Sequence, residues 1–359
     1  MTLKTPSPDP KPATWCRFVL SLVATFAGGS AALFVLLALL DPWGAMPFRS
    51  PLPRTPADHS QRWAYPELAR DPRFDAAIIG NSASRLLDPA AIDPVASARF
   101  VNLAMVHAFA YEQARLLDVF IAAHPRPRAV LVGLDRVWCE RGTEFERYGY
   151  GPIPDWLYDG DRLAALGNLL NLRAIETALR SFSAKLGLSP APYGDNGYAL
   201  IGVDFHKYDP ALAKRLIAQD LAITWPEPPN PDPATWRYGA LEWLAARLDR
   251  LPAGTRKILV FVPVHHLYPA PGSPGAAMMA ECKRRVVAMA RERPNAEVID
   301  FSIPSPVTTE EDRWWDGVHA RPETMARVSA ALARALAHEE TEDVHILTPR
   351  PGLAENTPR

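Results

Sequence analysis

Five short apolar runs, separated by segments of helical periodicity, form the main hydrophobic pattern of this chain. The runs have strand character and are Ala76–Ile79, Arg99–Leu103, Ala129–Leu134, Lys257–Val262 and Glu297–Phe301. Helical spacing of apolar residues covers Tyr111–Ala123, Trp236–Leu248, Met278–Ala290 and Glu323–Ala337. Alternation of this kind is typical of a parallel sheet with helices on both faces. We therefore predict an α/β domain built on a doubly wound parallel sheet of five strands.

One long run near the N-terminus, Phe18 to Leu40, contains no charged residue. Its 23 residues exceed the ~20 that a helix needs to cross a bilayer and the ~7–15 of a signal-peptide core. Trp15 and Trp43 lie at its two edges, where aromatic residues anchor membrane helices. A buried core helix is the alternative, but the length favours a transmembrane helix over residues 18–40.

Basic residues set the expected orientation of this span and the organisation around it. More of them lie close before it than after it, which places residues 1–17 in the cytoplasm. The rest of the chain would then lie outside the cytoplasm. In a bacterial cell the protein would be a single-pass inner-membrane protein whose soluble domain lies in the periplasm. We expect a Pro- and Arg-rich stalk over 41–60, the α/β domain over 61–338 and a disordered polar tail over 339–359.

Charge and cysteine content narrow the classes of partner and site. The formal net charge is -1 and there is no basic stripe, so nucleic acid is not an expected partner. The three cysteines are far apart and form no CxxC pair, which argues against a zinc site or a disulfide framework. We expect Cys139 and Cys282 to be buried free thiols, with a single bridge between them as the alternative.

Residues 140 to about 235 interrupt the α/β alternation and are rich in aromatic residues and prolines. They include a helical stretch, Arg162 to Leu186. An insertion after the third strand would overhang the edge of the sheet where ligands bind, as a lid or substrate platform. A packed subdomain without substrate contact is an equal alternative.

Polar side chains follow each predicted strand at its carboxyl end. Because these ends meet at one edge of a parallel sheet, we expect the side chains to converge. In chain order the candidates are Ser82, Asn102, Asp135, His265, Asp316 and His319.

Three of these candidates are the parts of a nucleophilic active site. The hydroxyl of Ser82 would attack once a base accepts its proton, and His319 would be that base. Asp316 would accept the other ring N–H and stabilise the imidazolium. Taken singly, Ser82 is also a good helix N-cap and the Asp–His pair a capped surface loop. Their order and shared sheet edge favour the triad.

Three further polar or aromatic positions are candidates for substrate contact. Arg85 would bind an anionic group or, as we favour, pair with Asp88. His265 and His266 point to opposite faces and make a poor metal chelate, so a structural role is favoured over substrate contact. Trp315 would stack on a sugar ring or pack in the core.

Several short blocks carry a family resemblance. They are Gly80-Asn81-Ser82, Asn102-Leu103-Ala104 with Tyr111-Glu112, Val132-Gly133-Leu134-Asp135, and Asp316-Gly317-Val318-His319 followed by Ala320-Arg321-Pro322. They resemble the SGNH/GDSL hydrolase superfamily, most closely the membrane-anchored branch with the alginate O-acetylation and D-alanyl–teichoic acid proteins. The resemblance extends in layout over residues 41–338. It implies a flavodoxin-like, five-stranded sheet and a triad of Ser82, Asp316 and His319.

Two positions depart from the family pattern. His107 occupies the place of a glycine whose backbone N–H helps to form the oxyanion hole, and is itself a candidate for substrate contact. Asp135 occupies the place of an asparagine donor, and an ionised carboxylate cannot donate a hydrogen bond. We expect the backbone N–H groups of Ser82 and Ala83, together with Asn102, to form the hole. Otherwise Asp135 is structural or the protein is catalytically weak.

The resemblance implies a membrane-anchored serine esterase or O-acyltransferase, with acetyl as the acyl group, acting on an extracytoplasmic glycan. It needs no cofactor and no metal, and implies a membrane acyltransferase as a partner. Water and a sugar hydroxyl both remain open as acceptors. The alternative is a non-catalytic anchored scaffold that binds glycan or a partner in an export complex. The residues at His107 and Asp135 favour that alternative, whereas the intact Ser–Asp–His set favours the enzyme.

Overall fold

The computed structural model describes residues 12–46, 48, 55–143, 146–199 and 208–348. Its helices are α1 (Pro12–Leu40), α2 (Gln61–Leu68), α3 (Pro89–Ala96), α4 (Ala110–Ala123), α5 (Arg136–Cys139), α6 (Asp155–Asp159), α7 (Arg162–Gly167), α8 (Leu172–Lys185), α9 (Pro210–Leu221), α10 (Gly239–Leu248), α11 (Pro274–Arg291), α12 (Pro306–Thr309) and α13 (Pro322–Leu336). Its strands are β1 (Ala76–Ile79), β2 (Phe100–Asn102), β3 (Ala129–Leu134), β4 (Arg256–Phe261), β5 (Ala296–Asp300) and β6 (His345–Ile346).

The strands form one sheet in the order β2-β1-β3-β4-β5-β6. The first five are parallel, and each overlaps the run predicted for it, so the α/β class is confirmed. The predicted count of five strands is wrong for the described residues, because β6 joins β5 in antiparallel orientation. The sheet is therefore mixed, with one antiparallel edge strand.

The edge strand β6 lies within the segment that was expected to be a disordered tail. The backbone N–H of Leu347 donates to the carbonyl of Val298 at 2.9 Å, and the Thr348 hydroxyl accepts from the Val298 N–H at 2.9 Å. Val344 is fully buried beneath the strand. Residues 345–348 pair with the open edge of β5, and residues 349–359 lie outside the described part.

Helices cover both faces of the sheet. One core contains side chains of α2, α4, α8, α10 and α11, and the other contains side chains of α3, α9 and α13. Alternate residues of β1 enter opposite cores: Ala77 and Ile79 join the first, and Ile78 joins the second. Burial on both faces explains why the parallel strands are continuous apolar runs rather than alternating ones.

Helix α1 is long and apolar enough to span a membrane over Thr14–Leu40. The chain that follows it packs against the domain instead of forming the expected stalk. Trp43 is buried, and its ring lies 5.1 Å from that of Trp63 and 5.5 Å from that of Trp156. Asp58 is also buried, where it accepts from the Trp43 indole at 3.4 Å. The described part of 41–60 is thus an ordered joint; residues 47 and 49–54 lie outside the described part.

The insertion is largely helical, and the stretch predicted over 162–186 is divided into α7 and α8. Asn171 separates them because its side chain accepts from the Ala174 N–H at 2.8 Å and so caps α8.

Cys139 and Cys282 form a disulfide, so the preferred expectation of two free thiols is wrong. They are 143 positions apart in sequence, but their Cα atoms lie 5.5 Å apart where α5 meets α11. Spacing along the chain carries no sign of this proximity, which arises from the packing of α11 beside α5. Cys16 in α1 is free and exposed.

We expect replacement of both Cys139 and Cys282 by alanine to lower the free energy of unfolding by about 2–4 kcal/mol, because the bond closes a long loop. Thermal unfolding of the full chain in detergent measures the change, and Cys16→Ala is the matched control that leaves stability unchanged. Alkylation of unreduced, unfolded protein adds one label, at Cys16. Three labels without reductant would contradict the bond.

Candidate active site

Ser82 is presented by a tight turn at the carboxyl end of β1. The chain leaves the strand through Gly80 and Asn81 and enters one turn of 3₁₀-helix, Ser82–Ser84. The Asn81 side chain caps this turn by accepting from the Ala83 N–H at 3.0 Å. Its amide nitrogen also donates to the carboxylate of Asp135. Asn81 thereby fixes the turn to the adjacent strand β3 and leaves Ser82 half-buried at the sheet edge.

Ser84 packs in a space that exists because two neighbouring residues are glycines. A Cβ atom on Gly80 would lie 2.3 Å from the Ser84 Oγ, and one on Gly133 would lie 1.9 Å from it. Gly133 belongs to β3, so the turn after β1 requires a glycine on the neighbouring strand as well as at Gly80. The sequence resemblance included Gly133 in a block but gave no reason for it; the reason is this close approach.

Asn102 is not an oxyanion donor in this structure. It is fully buried, and its side-chain amide lies 2.9 Å from the Leu87 carbonyl and 3.1 Å from the Arg85 carbonyl. Its side-chain oxygen accepts from the Ala104 N–H at 3.0 Å. The Ala83 N–H is likewise engaged, since it donates to the Asn81 side chain at 3.0 Å. Both groups hold the segment after Ser82 in place.

The second half of the site is the loop between β5 and α13. One Asp316 oxygen accepts from the backbone N–H groups of Val318 and His319 at 2.8 and 2.7 Å. The other lies 2.8 Å from Nδ1 of His319, and Nε2 of His319 lies 2.7 Å from Oγ of Ser82. With the ring proton on Nδ1, His319 donates to Asp316 and accepts from the Ser82 hydroxyl. The structure therefore brings Ser82, His319 and Asp316 into one hydrogen-bonded chain.

Nearby carboxylates set the protonation of the histidine. Burial lowers the pKa of His319, but the hydrogen bond and charge of Asp316, together with Asp220 and Asp135, raise it above the usual value of 6.5. Burial alone would raise the pKa of Asp316, yet its bonds to His319 bring it below its usual value. The pair is arranged to stabilise an imidazolium beside a carboxylate.

Asp135 is a positioning group rather than a donor. Its side chain caps α5 by accepting from the Val137 N–H at 3.0 Å, and it also accepts from Asn81. Burial raises its pKa to about 6 despite these two bonds. By accepting from Asn81 and from the Val137 N–H, Asp135 secures the Ser82 turn to the start of α5.

Two contacts hold the histidine loop from outside, and neither was predicted. The backbone N–H of His265 donates to the carbonyl of Gly317 at 3.0 Å. The N–H of Gly317 in turn donates to Asp220, on α9 of the insertion, at 2.8 Å. A Cβ atom on Gly317 would lie 2.8 Å from the Asp220 Cβ, so the glycine permits this approach. A single aspartate within a long insertion gives no sequence signal for such a role.

His107 lines the same cavity as Ser82. It has a φ of +53°, a left-handed conformation that glycine adopts most readily. Its carbonyl accepts from Arg62 at 3.2 Å, and Arg62 forms a buried ion pair with Glu112. Within the described residues, the N–H groups of His107 and Ser82 have no acceptor. Both residues line the cavity, so their N–H groups are candidate donors to a ligand there.

A cavity of about 290 Å³ opens beside Ser82 and His319. Most of its wall is apolar, and Trp225 brings the insertion into that wall. Its apolar side chains are Ala83, Ala108, Phe109, Leu134, Val137, Trp225, Phe261, Val262, Val264, Tyr268, Pro269, Met279 and Val318. The cavity therefore has room for a small, largely apolar ligand beside the Ser82 hydroxyl.

The remaining candidates have different environments. Arg85 is buried, and its guanidinium interacts with the phenol of Tyr65. His265 is buried, with Nδ1 accepting from the Leu267 N–H at 3.4 Å. Trp315 packs its ring 5.1 Å from that of Tyr208. Of the four candidates for substrate contact, His107 lines the cavity. Arg85, His265 and Trp315 are not among the described residues that line it.

No protein-family model and no curated protein matches this chain. The function therefore has to be inferred from the site, and above all from the hydrogen-bonded chain of Ser82, His319 and Asp316.

We expect Gly133→Ala to destabilise the protein by about 1–3 kcal/mol, because its new methyl group overlaps the Ser84 hydroxyl. Ser84→Ala should be nearly neutral, since the buried Ser84 Oγ has no partner among the described residues. The double variant should recover part of the loss. Chemical denaturation measures all three, and strictly additive effects would contradict the proposed overlap.

Proposed function

We propose that this chain is a membrane-anchored serine esterase or O-acyltransferase of the SGNH/GDSL type. The observation that carries the proposal is the 2.7 Å contact between Ser82 Oγ and His319 Nε2, continued at 2.8 Å to Asp316. The order 2-1-3-4-5 of the parallel strands supports the flavodoxin-like arrangement that the resemblance implies. The sheet edge at which the three side chains meet is where such folds bind their ligands.

In the acylation half-reaction, Ser82 Oγ attacks the ester carbonyl while His319 Nε2 accepts the hydroxyl proton. Asp316 stabilises the resulting imidazolium through Nδ1. The negative charge on the carbonyl oxygen is bound by the backbone N–H groups of Ser82 and His107. Collapse of the tetrahedral intermediate breaks the bond to the alcohol, which takes the proton from His319 and leaves an acyl-Ser82.

In the second half-reaction, His319 removes a proton from the acceptor, which attacks the acyl-Ser82 and releases the serine. Water as acceptor gives an esterase and a sugar hydroxyl gives an O-acyltransferase. The acyl group is acetyl by resemblance, and the apolar cavity beside Ser82 has room for it. Neither half-reaction requires a cofactor.

The proposed location is the bacterial inner membrane, with α1 spanning it and the catalytic domain in the periplasm. The Cys139–Cys282 disulfide supports an oxidising compartment, because such bonds are rare in the cytosol. An extracytoplasmic glycan is the proposed substrate. A membrane acyltransferase that delivers the acyl group across the bilayer is the proposed partner.

A non-catalytic scaffold for glycan or an export complex is the second candidate. The observation that favours it is that both side-chain candidates for the oxyanion hole, Asn102 and Asp135, already form hydrogen bonds within the protein. Asn102 donates to backbone carbonyls and Asp135 accepts from Asn81, so neither side chain is free to donate to an oxyanion.

We expect a fluorophosphonate probe to label the full-length protein at Ser82 and a chromogenic acetyl ester to be hydrolysed. Ser82→Ala should abolish labelling, and His319→Ala should lower turnover by about 10³-fold or more, because the base is lost. Ser84→Ala is the matched control: a serine two positions away whose loss should leave labelling intact. Folded wild-type protein that is neither labelled nor active would favour the scaffold.

We expect the acid limb of the pH profile of kcat/KM to lie above pH 6.5, because His319 must be neutral to accept a proton and its pKa is raised. Lowering the pH through this pKa protonates the base and removes activity. Asp220→Asn keeps an acceptor for the Gly317 N–H but removes a charge, so the limb should move to lower pH. An acid limb that does not move in this variant would contradict the role of Asp220.

A further inference from the structure

Helix α8 buries small side chains and exposes large apolar ones, which is the reverse of a helix on the surface of a water-soluble domain. Its small residues Ala174, Thr177 and Ala178 are buried against the protein. Four large apolar residues, Leu172, Leu179, Phe182 and the C-cap Leu186, point outward and are 71, 63, 52 and 56% exposed. Their spacing of seven, three and four positions places them along one face of the helix. Ile175 of the same helix is partly buried against the core.

We call these four side chains the α8 outer face. Three further leucines of the same region, in α7 and on either side of α8, are also exposed: Leu163, Leu170 and Leu188. Clustered exposed apolar residues on this scale mark a surface that contacts another apolar phase.

The position of α8 indicates which phase this is. α8 packs against α1, the helix that is long and apolar enough to span a membrane. It is also bonded to the segment that follows α1: the Ser181 hydroxyl donates to the Thr55 carbonyl at 3.0 Å, and Arg173 donates to Asp58 at 2.8 and 2.7 Å. The α8 outer face is therefore fixed beside the point where α1 joins the domain.

The charges of α8 agree with this position. The helix carries three basic residues, Arg173, Arg180 and Lys185, and one acidic residue, Glu176. Arg180 and Glu176 lie 3.9 Å apart at one border of the outer face. Arg173 is bonded to Asp58 and Arg180 lies beside Glu176, so the apolar face rather than a net positive charge indicates the position. An apolar face with charged side chains at its border is the form of a helix that lies in a membrane interface.

We propose that α8 lies in the interface of the lipid bilayer, with its outer face among the headgroups and upper acyl chains. The protein would then have two membrane contacts, α1 across the bilayer and α8 along its surface. This inference rests on the proposed spanning of the membrane by α1, and it is independent of the chemistry at Ser82. The bilayer is favoured over a protein partner because α8 is joined to the membrane helix itself.

The test places environment-sensitive NBD probes on the full chain in nanodiscs of phosphatidylethanolamine and phosphatidylglycerol. The background variant is Cys16→Ser, which removes the free cysteine and leaves the disulfide intact. Probes are attached at Leu179→Cys and Leu186→Cys on the α8 outer face. Phe26→Cys in α1 is the lipid-exposed reference, and Arg334→Cys on α13, which packs on the other face of the sheet, is the water-exposed control.

We expect spin-labelled lipid to quench the probes at Leu179 and Leu186 several-fold more than the probe at Arg334, and aqueous iodide to quench them several-fold less. Quenching of both α8 probes by iodide, with Phe26 still quenched by lipid, would overturn the α8 contact and leave the α1 anchor intact. Shielding of the α8 probes from both quenchers would overturn it in favour of a protein covering the face. A Phe26 probe that lipid does not quench would overturn both membrane contacts. Fluorophosphonate labelling of Ser82 in the same samples reports on the catalytic proposal separately.

Discussion

The site depends on the absence of side chains at Gly80 and Gly133, which lets the turn that carries Ser82 and Ser84 approach the sheet closely. In the parallel register of β1 and β3, Ile79 pairs with Val132, so Gly80 and Gly133 follow side by side. The absence of side chains there lets the Ser84 side chain enter the sheet edge. The turn that carries Ser82 consequently lies low against the sheet, where Asn102 and Asn81 can bond to it. A larger residue at either glycine would raise the turn and move the nucleophile away from His319.

His319 is positioned by contacts that are independent of those that position Ser82. The hydrogen bond between Ser82 and His319 joins the two sets of contacts. His265 holds the Gly317 carbonyl from the loop after β4, and Asp220 holds the Gly317 N–H from the insertion. The insertion, which was equally predicted as a lid or an inert subdomain, therefore supports the loop that carries His319 and contributes Trp225 to the cavity wall. Its exchange for an unrelated insertion would remove both contacts.

Much of this arrangement could be predicted from the sequence because parallel strands leave a strong local pattern. Buried on both faces, β1 and β3 are continuous apolar runs, and their polar ends identify one edge of the sheet. The errors concern features with no local signal. The Cys139–Cys282 bond, the edge strand β6 and the packing of Trp43 all depend on which distant elements become neighbours. The sequence placed Asn102 correctly at the edge of the sheet. It could not show that the side-chain amide donates to backbone carbonyls, because the direction of the side chain depends on the packing around it.

The ordered joint between α1 and the domain constrains what the site can act on. A flexible stalk would let a tethered site search a volume around its anchor, because reach grows with the number of free residues. Here Trp43 and Asp58 are buried in the domain, and Arg173 connects that joint to α8. The described part of the connection thus holds the domain against α1 rather than releasing it. Under the proposed function, with α1 spanning the membrane, a site held in this way would meet substrates at the membrane surface, such as a glycan emerging from an export complex or an acyl group delivered from the bilayer. That restriction would favour transfer between two membrane-associated substrates over hydrolysis of a distant polymer.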